Sequence, residues 1–112
     1  MKKGFIYLAC PYTHADKSIM IERWSAVNRA AAKLMGNGEY VFSPISHTHP
    51  IAEAGQLPRD WNFWEGYDRI MLGNCDTLMV LKLPGWNIST GVQAEIKIAE
   101  EFGIPIEYME PI

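Results

Sequence analysis

The chain has 112 residues, 48% of them apolar and 21% charged, with a net charge of −3, which fits one small domain. This balance leaves no basic footprint for polymeric nucleic acid or an anionic membrane, although a small nucleotide needs only a local anion site. No apolar run approaches the ~20 residues of a membrane span, so a cytoplasmic location without a membrane partner is expected.

Residues 5–10 are a short apolar run of strand type. With Lys2 and Lys3 in front, the segment has the outline of a signal peptide. The apolar part is too short for one, and Pro11-Tyr12-Thr13-His14 follows without a cleavage site, so a buried strand is expected. Cys10 and Cys75 sit in apolar surroundings and read as free buried thiols in a reducing compartment. A helix is predicted over residues 16–35, where Met20, Trp24, Val27, Ala31 and Leu34 form one stripe. Gly36-Asn37-Gly38 ends it, and residues 40–43 form a second strand stopped by Pro44. Residues 45–59, rich in Pro, His and Gly, read as a long loop with a helical turn around 51–54.

Asp60 is placed to cap a second helix running to Asn74, with Trp61, Trp64, Met71 and Cys75 on one side. Residues 77–83 are almost wholly apolar, the mark of a strand buried on both faces. Thr90-Gly91-Val92-Gln93 has the form of a capping box for a third helix, which Gly103 stops after Phe102. Residues 105–109 are a fourth strand. Alternating strands and helices make an α/β protein with a mostly parallel sheet, and the flavodoxin-like order 2-1-3-4 puts helices on both faces in three layers. Helices 2 and 3 share one face. The face carrying helix 1 is under-covered, so self-association, most simply as a homodimer, is expected. Ligands in such sheets bind beyond the carboxyl ends of the strands, here residues 10–16, 44–49 and 84–91.

The stretch from Leu83 to Glu95 joins a strand to a helix start rich in small and hydroxyl residues, an anion-attracting arrangement. Glu95 lies about one and a half turns into that helix, flanked by Val92 and Ala99 on its own side. It could be a nucleophile or base kept ionised by the helix dipole, or a surface Glu paired with a basic residue. Asp68 interrupts the apolar stripe of Trp64, Met71 and Leu72; burial would raise its pKa and make it a proton donor, whereas a rim Asp would pair with Arg69, Arg59 or a lysine. Tyr7, mid-strand, could bond a catalytic carboxylate or simply be core. His47 and His49 would point the same way on an extended loop and, with His14, Asp60 or Cys10, could hold zinc; lining a ligand site is the alternative. Trp86, in the turn before helix 3, could stack on a ring or serve as a lid or interface residue. The chain has no GxGxxG after strand 1, no Walker loop and no GxSxG elbow.

Three segments together resemble the nucleoside 2-deoxyribosyltransferase superfamily, and most closely the small phage and bacterial proteins grouped as DUF1937. They are Ile6-Tyr7-Leu8-Ala9-Cys10-Pro11-Tyr12, then Asp68 eight residues ahead of Asp76, then Ser89-Thr90-Gly91-Val92-Gln93-Ala94-Glu95. The resemblance implies N-glycosidic chemistry without a cofactor: Glu95 attacks C1′ of a (deoxy)ribose, Asp68 assists the leaving base and Tyr7 holds the nucleophile. Ser89, six residues before Glu95, matches the position that reads phosphate in relatives acting on nucleoside 5′-monophosphates. Thr90, Gly91, Trp86, Cys10, Pro11, Tyr12 and His47 are the further expected substrate contacts. Cys10 departs from the usual Gly of the first strand, and neither Trp86 nor the His47/His49 pair is a general superfamily feature. The small-molecule partner implied is a nucleotide or nucleoside. A non-catalytic nucleotide sensor is the alternative, and a metal-dependent hydrolase using His47 and His49 is a third.

Overall fold

A computed structural model describes residues 4–112. Met1, Lys2 and Lys3, the basic start of the segment with a signal-peptide outline, lie outside the described residues. Four strands, β1 (Phe5–Ala9), β2 (Tyr40–Phe42), β3 (Thr77–Leu81) and β4 (Ile106–Met109), form one all-parallel sheet in the order β2-β1-β3-β4. The helices are α1 (Lys17–Gly36), α2 (Pro44–Gly55), α3 (Trp61–Gly73) and α4 (Thr90–Phe102), with a 3-10 turn over Trp86–Ile88.

Alternation along β1 divides the core into two clusters. Ile6, Leu8 and Cys10 pack with Val27, Ala30 and Ala31 of α1. Tyr7 and Ala9 pack on the opposite side with Leu72 of α3 and Val92, Ile98 and Ala99 of α4. The expected three-layer arrangement is therefore present. In register, Tyr7 pairs with Phe42 on one side and Leu78 on the other, which places its side chain in the middle of the sheet. Asp76, just ahead of β3, anchors the edge of β1, because its Oδ2 accepts from the Phe5 N–H at 2.9 Å. A Cβ at Gly4 would stand 2.3 Å from that same oxygen, so the close approach requires glycine.

Residues 44–55 are not a loop but a full helix. Pro44 occupies the first turn, where its missing N–H costs nothing, and the Ser43 hydroxyl accepts from the Ser46 N–H at 3.4 Å. Pro50 lies inside the helix and cannot donate to the Ser46 carbonyl one turn back. That carbonyl accepts instead from the Trp24 indole N–H of α1 at 3.4 Å, a tertiary contact that replaces the missing backbone bond. Gln56, at φ 52°, closes the helix.

The start of α4 is also displaced by one residue from the expected box. Ser89 is the cap, its hydroxyl accepting from the Val92 N–H at 3.3 Å, while the Gln93 side chain donates to the Trp86 carbonyl at 3.2 Å. Asp60 occupies the cap position of α3 but makes no side-chain capping bond. Gly103, in the left-handed region at φ 70°, ends α4 as expected.

Candidate active site

Val92, Glu95, Ile98 and Ala99 are the buried residues of α4, so Glu95 lies on the face turned to the sheet. It is 5% exposed, and the Tyr7 hydroxyl, 0% exposed at the centre of β1, donates to its Oε2. Asp68 projects from α3 near the same two groups and is 8% exposed. Its Oδ1 is buried without a hydrogen-bond partner. The basic residues that could have made Asp68 an ordinary rim acid are committed elsewhere: Arg69 pairs with Glu101 at 2.5 Å and Arg59 with Glu53 at 3.0 Å.

Burial dominates the electrostatics of this trio. It pushes Asp68 up to about 7. It pushes Glu95 up to about 8, with the Tyr7 hydrogen bond opposing and the nearby Asp68 adding to the rise. Tyr7 is raised well above its ordinary value by burial, then by Glu95 and Asp68. Burial and the neighbouring Asp68 thus work against the ionised Glu95 that the helix dipole alone would favour. Loss of water and a second carboxyl outweigh one hydroxyl and a dipole whose reach is about one turn. The result is two buried carboxyls that titrate near neutrality, with no cation paired to either among the described residues.

Glu95 and Asp68 open into a cavity of about 540 Å³ beyond the carboxyl ends of β1 and β3, where such sheets place ligands. Of the expected substrate contacts, Cys10, Pro11, Tyr12, Ser89, Thr90 and Gly91 all line it. Tyr7 is sealed behind Glu95 and reaches the cavity only through that carboxyl.

His47 and Trp86 do not line the cavity. Two residues apart on a helix are about 200° apart around its axis, so helical 44–55 sends His47 outward and His49 inward. His47 is exposed, its ring 6.3 Å from that of Phe42, whereas His49 is 7% exposed and lines the cavity. Trp86 packs against Tyr108 at 5.5 Å between ring centroids and belongs to the apolar cluster under α4. The zinc reading fails on the same geometry: among the described residues no three His, Cys, Asp or Glu side chains gather where they could hold a metal ion.

The sequence pattern does not reveal Arg23, Thr48, His49 as distinct from His47, Arg59, or the lining role of Trp61 and Trp64. Thr48 and His49 are hidden by the loop-like composition of 45–59. Arg23 lies beside the α1 stripe near the ligand end of that helix, which is a signal the sequence does carry. Its guanidinium donates to the Tyr12, Thr13 and Pro84 carbonyls at 3.3, 3.2 and 3.4 Å, tying the loops after β1 and β3 together.

No curated protein matches the chain. The family model described as a domain of unknown function (DUF1937) matches residues 4–111, and the chain belongs to that family.

Proposed function

We propose that this protein cleaves, or transfers across, the N-glycosidic bond of a nucleoside 5′-monophosphate, with Glu95 as nucleophile. The observation that carries this reading is the buried Glu95, held by Tyr7 and facing Asp68 at the floor of a nucleotide-sized cavity.

In the reaction, the Glu95 carboxylate forms a bond to C1′ as the C1′–N bond breaks, and the base leaves with the proton of Asp68. Water or a second base then attacks C1′ of the glycosyl ester while Asp68, now ionised, takes the proton released, and Glu95 is freed. The raised pKa values suit this sequence. Asp68 near 7 is a proton donor at neutral pH. Glu95 sheds its own proton to solvent as the substrate enters, and the positive charge that develops at C1′ then stabilises the attacking carboxylate. The first N–H groups of α4, at Thr90 and Gly91, together with the dipole, favour the 5′-phosphate at that end of the cavity. No cofactor or metal enters this scheme.

The test is base release from a panel of nucleoside monophosphates and nucleosides, followed chromatographically. Release that disappears in both Glu95→Gln and Glu95→Ala supports the reading, and activity retained in Glu95→Ala overturns it. One observation favours a sensor as the second reading: burial pushes Glu95 up to about 8, and a protonated carboxyl is a weak nucleophile. Tight binding without release at high protein concentration would establish that alternative. We also propose a homodimer, since Met79 and Met109 remain only partly buried on the α1 face of the sheet.

A further inference from the structure

The cavity wall opposite the start of α4 contains groups that the proposed reaction does not use. Tyr12, His49 and Arg59 meet there. Burial raises the Tyr12 pKa, with the nearby Arg59 guanidinium opposing, so the phenol keeps its proton at neutral pH. The Tyr12 hydroxyl lies 2.5 Å from His49 Nδ1, and because a phenol is the stronger donor and an imidazole nitrogen the better acceptor, we assign the proton of this bond to Tyr12. Burial holds His49 below the ordinary histidine pKa, with Glu53 opposing and Arg59 adding to the depression, so the ring is neutral at pH 7. A neutral imidazole that accepts at Nδ1 carries its proton on Nε2.

The ring is also fixed in orientation. It stacks on Trp24 at 4.8 Å between centroids and 28° between planes, and Trp24 is itself anchored by its indole bond to Ser46. Among the described residues, Nε2 has no partner and is not one of the sealed, unpartnered nitrogens. Arg59 Nε is such a nitrogen, buried with its proton unused. At His49 the wall thus offers a donor, while Thr48, next to it, spends its hydroxyl proton on the Pro44 carbonyl at 2.8 Å and cannot donate to a ligand as well.

We propose that His49, oriented by Tyr12 and by its stacking on Trp24, is the specificity-determining residue for the base, and that it selects bases presenting a carbonyl oxygen over those presenting an exocyclic amine. The inference rests on the nucleotide reading above. The sheet order supports the placement: α4 follows β3 on one side of β1 and α2 follows β2 on the other, and Glu95, Asp68 and His49 line the one cavity that both helices border. A nucleotide with its phosphate at α4 and C1′ at Glu95 therefore extends its base towards α2. A carbonyl there accepts from Nε2–H, whereas an amine meets a donor and leaves both unpaired, the kind of mismatch that discriminates strongly. Trp61 and Trp64, also lining the cavity, supply apolar surface that any base can use.

The experiment is calorimetric titration of the full chain carrying Glu95→Gln, which prevents turnover, with two pairs of monophosphates. Inosine and adenosine monophosphates differ from carbonyl to amine at one ring position, as do uridine and cytidine monophosphates. The carbonyl member of each pair should bind about tenfold more tightly. His49→Ala should reduce that ratio to near unity. Tyr12→Phe should do the same with the imidazole still present, because the ring is then free to take the other tautomer; this variant also serves if His49→Ala does not fold. Equal binding within the pairs, a preference for the amine, or a preference that survives in both variants overturns the inference and leaves the proposed function standing. Failure of every monophosphate to bind either this protein or the wild type overturns the proposed function itself.

Discussion

The buried carboxyls make folding stability depend on pH in an unusual direction. An acid whose pKa is raised on folding binds more protons in the native state than in the unfolded one, so stability declines as pH rises between the two pKa values. For Asp68 the window runs from the ordinary 3.8 to about 7, and for Glu95 from 4.5 to about 8. At about 1.4 kcal/mol per unit, the shift at Asp68 alone corresponds to a loss of about 4 kcal/mol across its window. That is a large fraction of the roughly 5–15 kcal/mol typical of a small domain. The two carboxyls interact, so the pair loses less than the sum of two independent groups. Equilibrium urea unfolding followed by tryptophan fluorescence at pH 5, 6, 7 and 8 should show stability falling throughout. Asp68→Asn and Glu95→Gln should each flatten the profile, and Asp68→Asn should exceed the wild type in stability at pH 8. A wild-type stability that is constant or rising from pH 5 to 8, with both variants parallel to it, would refute the assignment of two buried carboxyls with raised pKa values.

Gly4→Ala should lower stability by about 1–3 kcal/mol in thermal melts, because its Cβ displaces Asp76 from the Phe5 N–H. Ser89→Ala should cost about 1 kcal/mol through loss of the α4 cap. The same variant should weaken binding of a monophosphate more than that of its nucleoside in a titration; equal weakening would remove Ser89 from the phosphate site. His47→Ala should change stability by less than about 0.5 kcal/mol and leave ligand affinity unaltered, since the side chain is exposed and outside the cavity. Sedimentation at several concentrations should reveal the homodimer, and a monomer at every concentration would remove that proposal.

The parts of the fold legible in the sequence are those carried by local pattern. The stripe of Met20, Val27 and Ala31 marks α1, the run over Thr77–Leu81 marks a strand covered on both sides, and Gly103 marks the end of α4. Helix α2 is not legible because its decisive contact is tertiary. Pro50 argues against a helix by local rules, and only the Trp24 indole, 22 residues back in sequence from Ser46, makes the orphaned carbonyl tolerable. The consequence spreads by periodicity alone. An extended chain brings His47 and His49 to one side, whereas a helix separates them, so one misread element exchanges the lining histidine for the exposed one. Glu95 and Asp68 are legible for the opposite reason: each is an acid on a stripe that is otherwise apolar, a conflict that local sequence displays openly.

That conflict also bears on why the site is built from these groups. Tyr7, Asp68 and Glu95 occupy positions where Leu72, Val80 and Val92 show what the same layer does when only packing matters. A buried hydroxyl and two carboxyls without a cation cost stability that apolar residues of similar size would not, and the cost grows as pH rises towards the values at which the carboxyls ionise. A fold that needed only a core would gain by replacing them. Their joint presence at the floor of one cavity, with Tyr7 bonded to Glu95 and Asp68 left with an unpartnered oxygen, is what the binding site proposed above would require and a core built for packing alone would not. An electropositive sugar carbon against Glu95 and a basic leaving group against Asp68 would satisfy both at once, which is why stability at high pH and nucleotide binding should be linked: a bound monophosphate should stabilise the wild type more at pH 8 than it does Glu95→Gln.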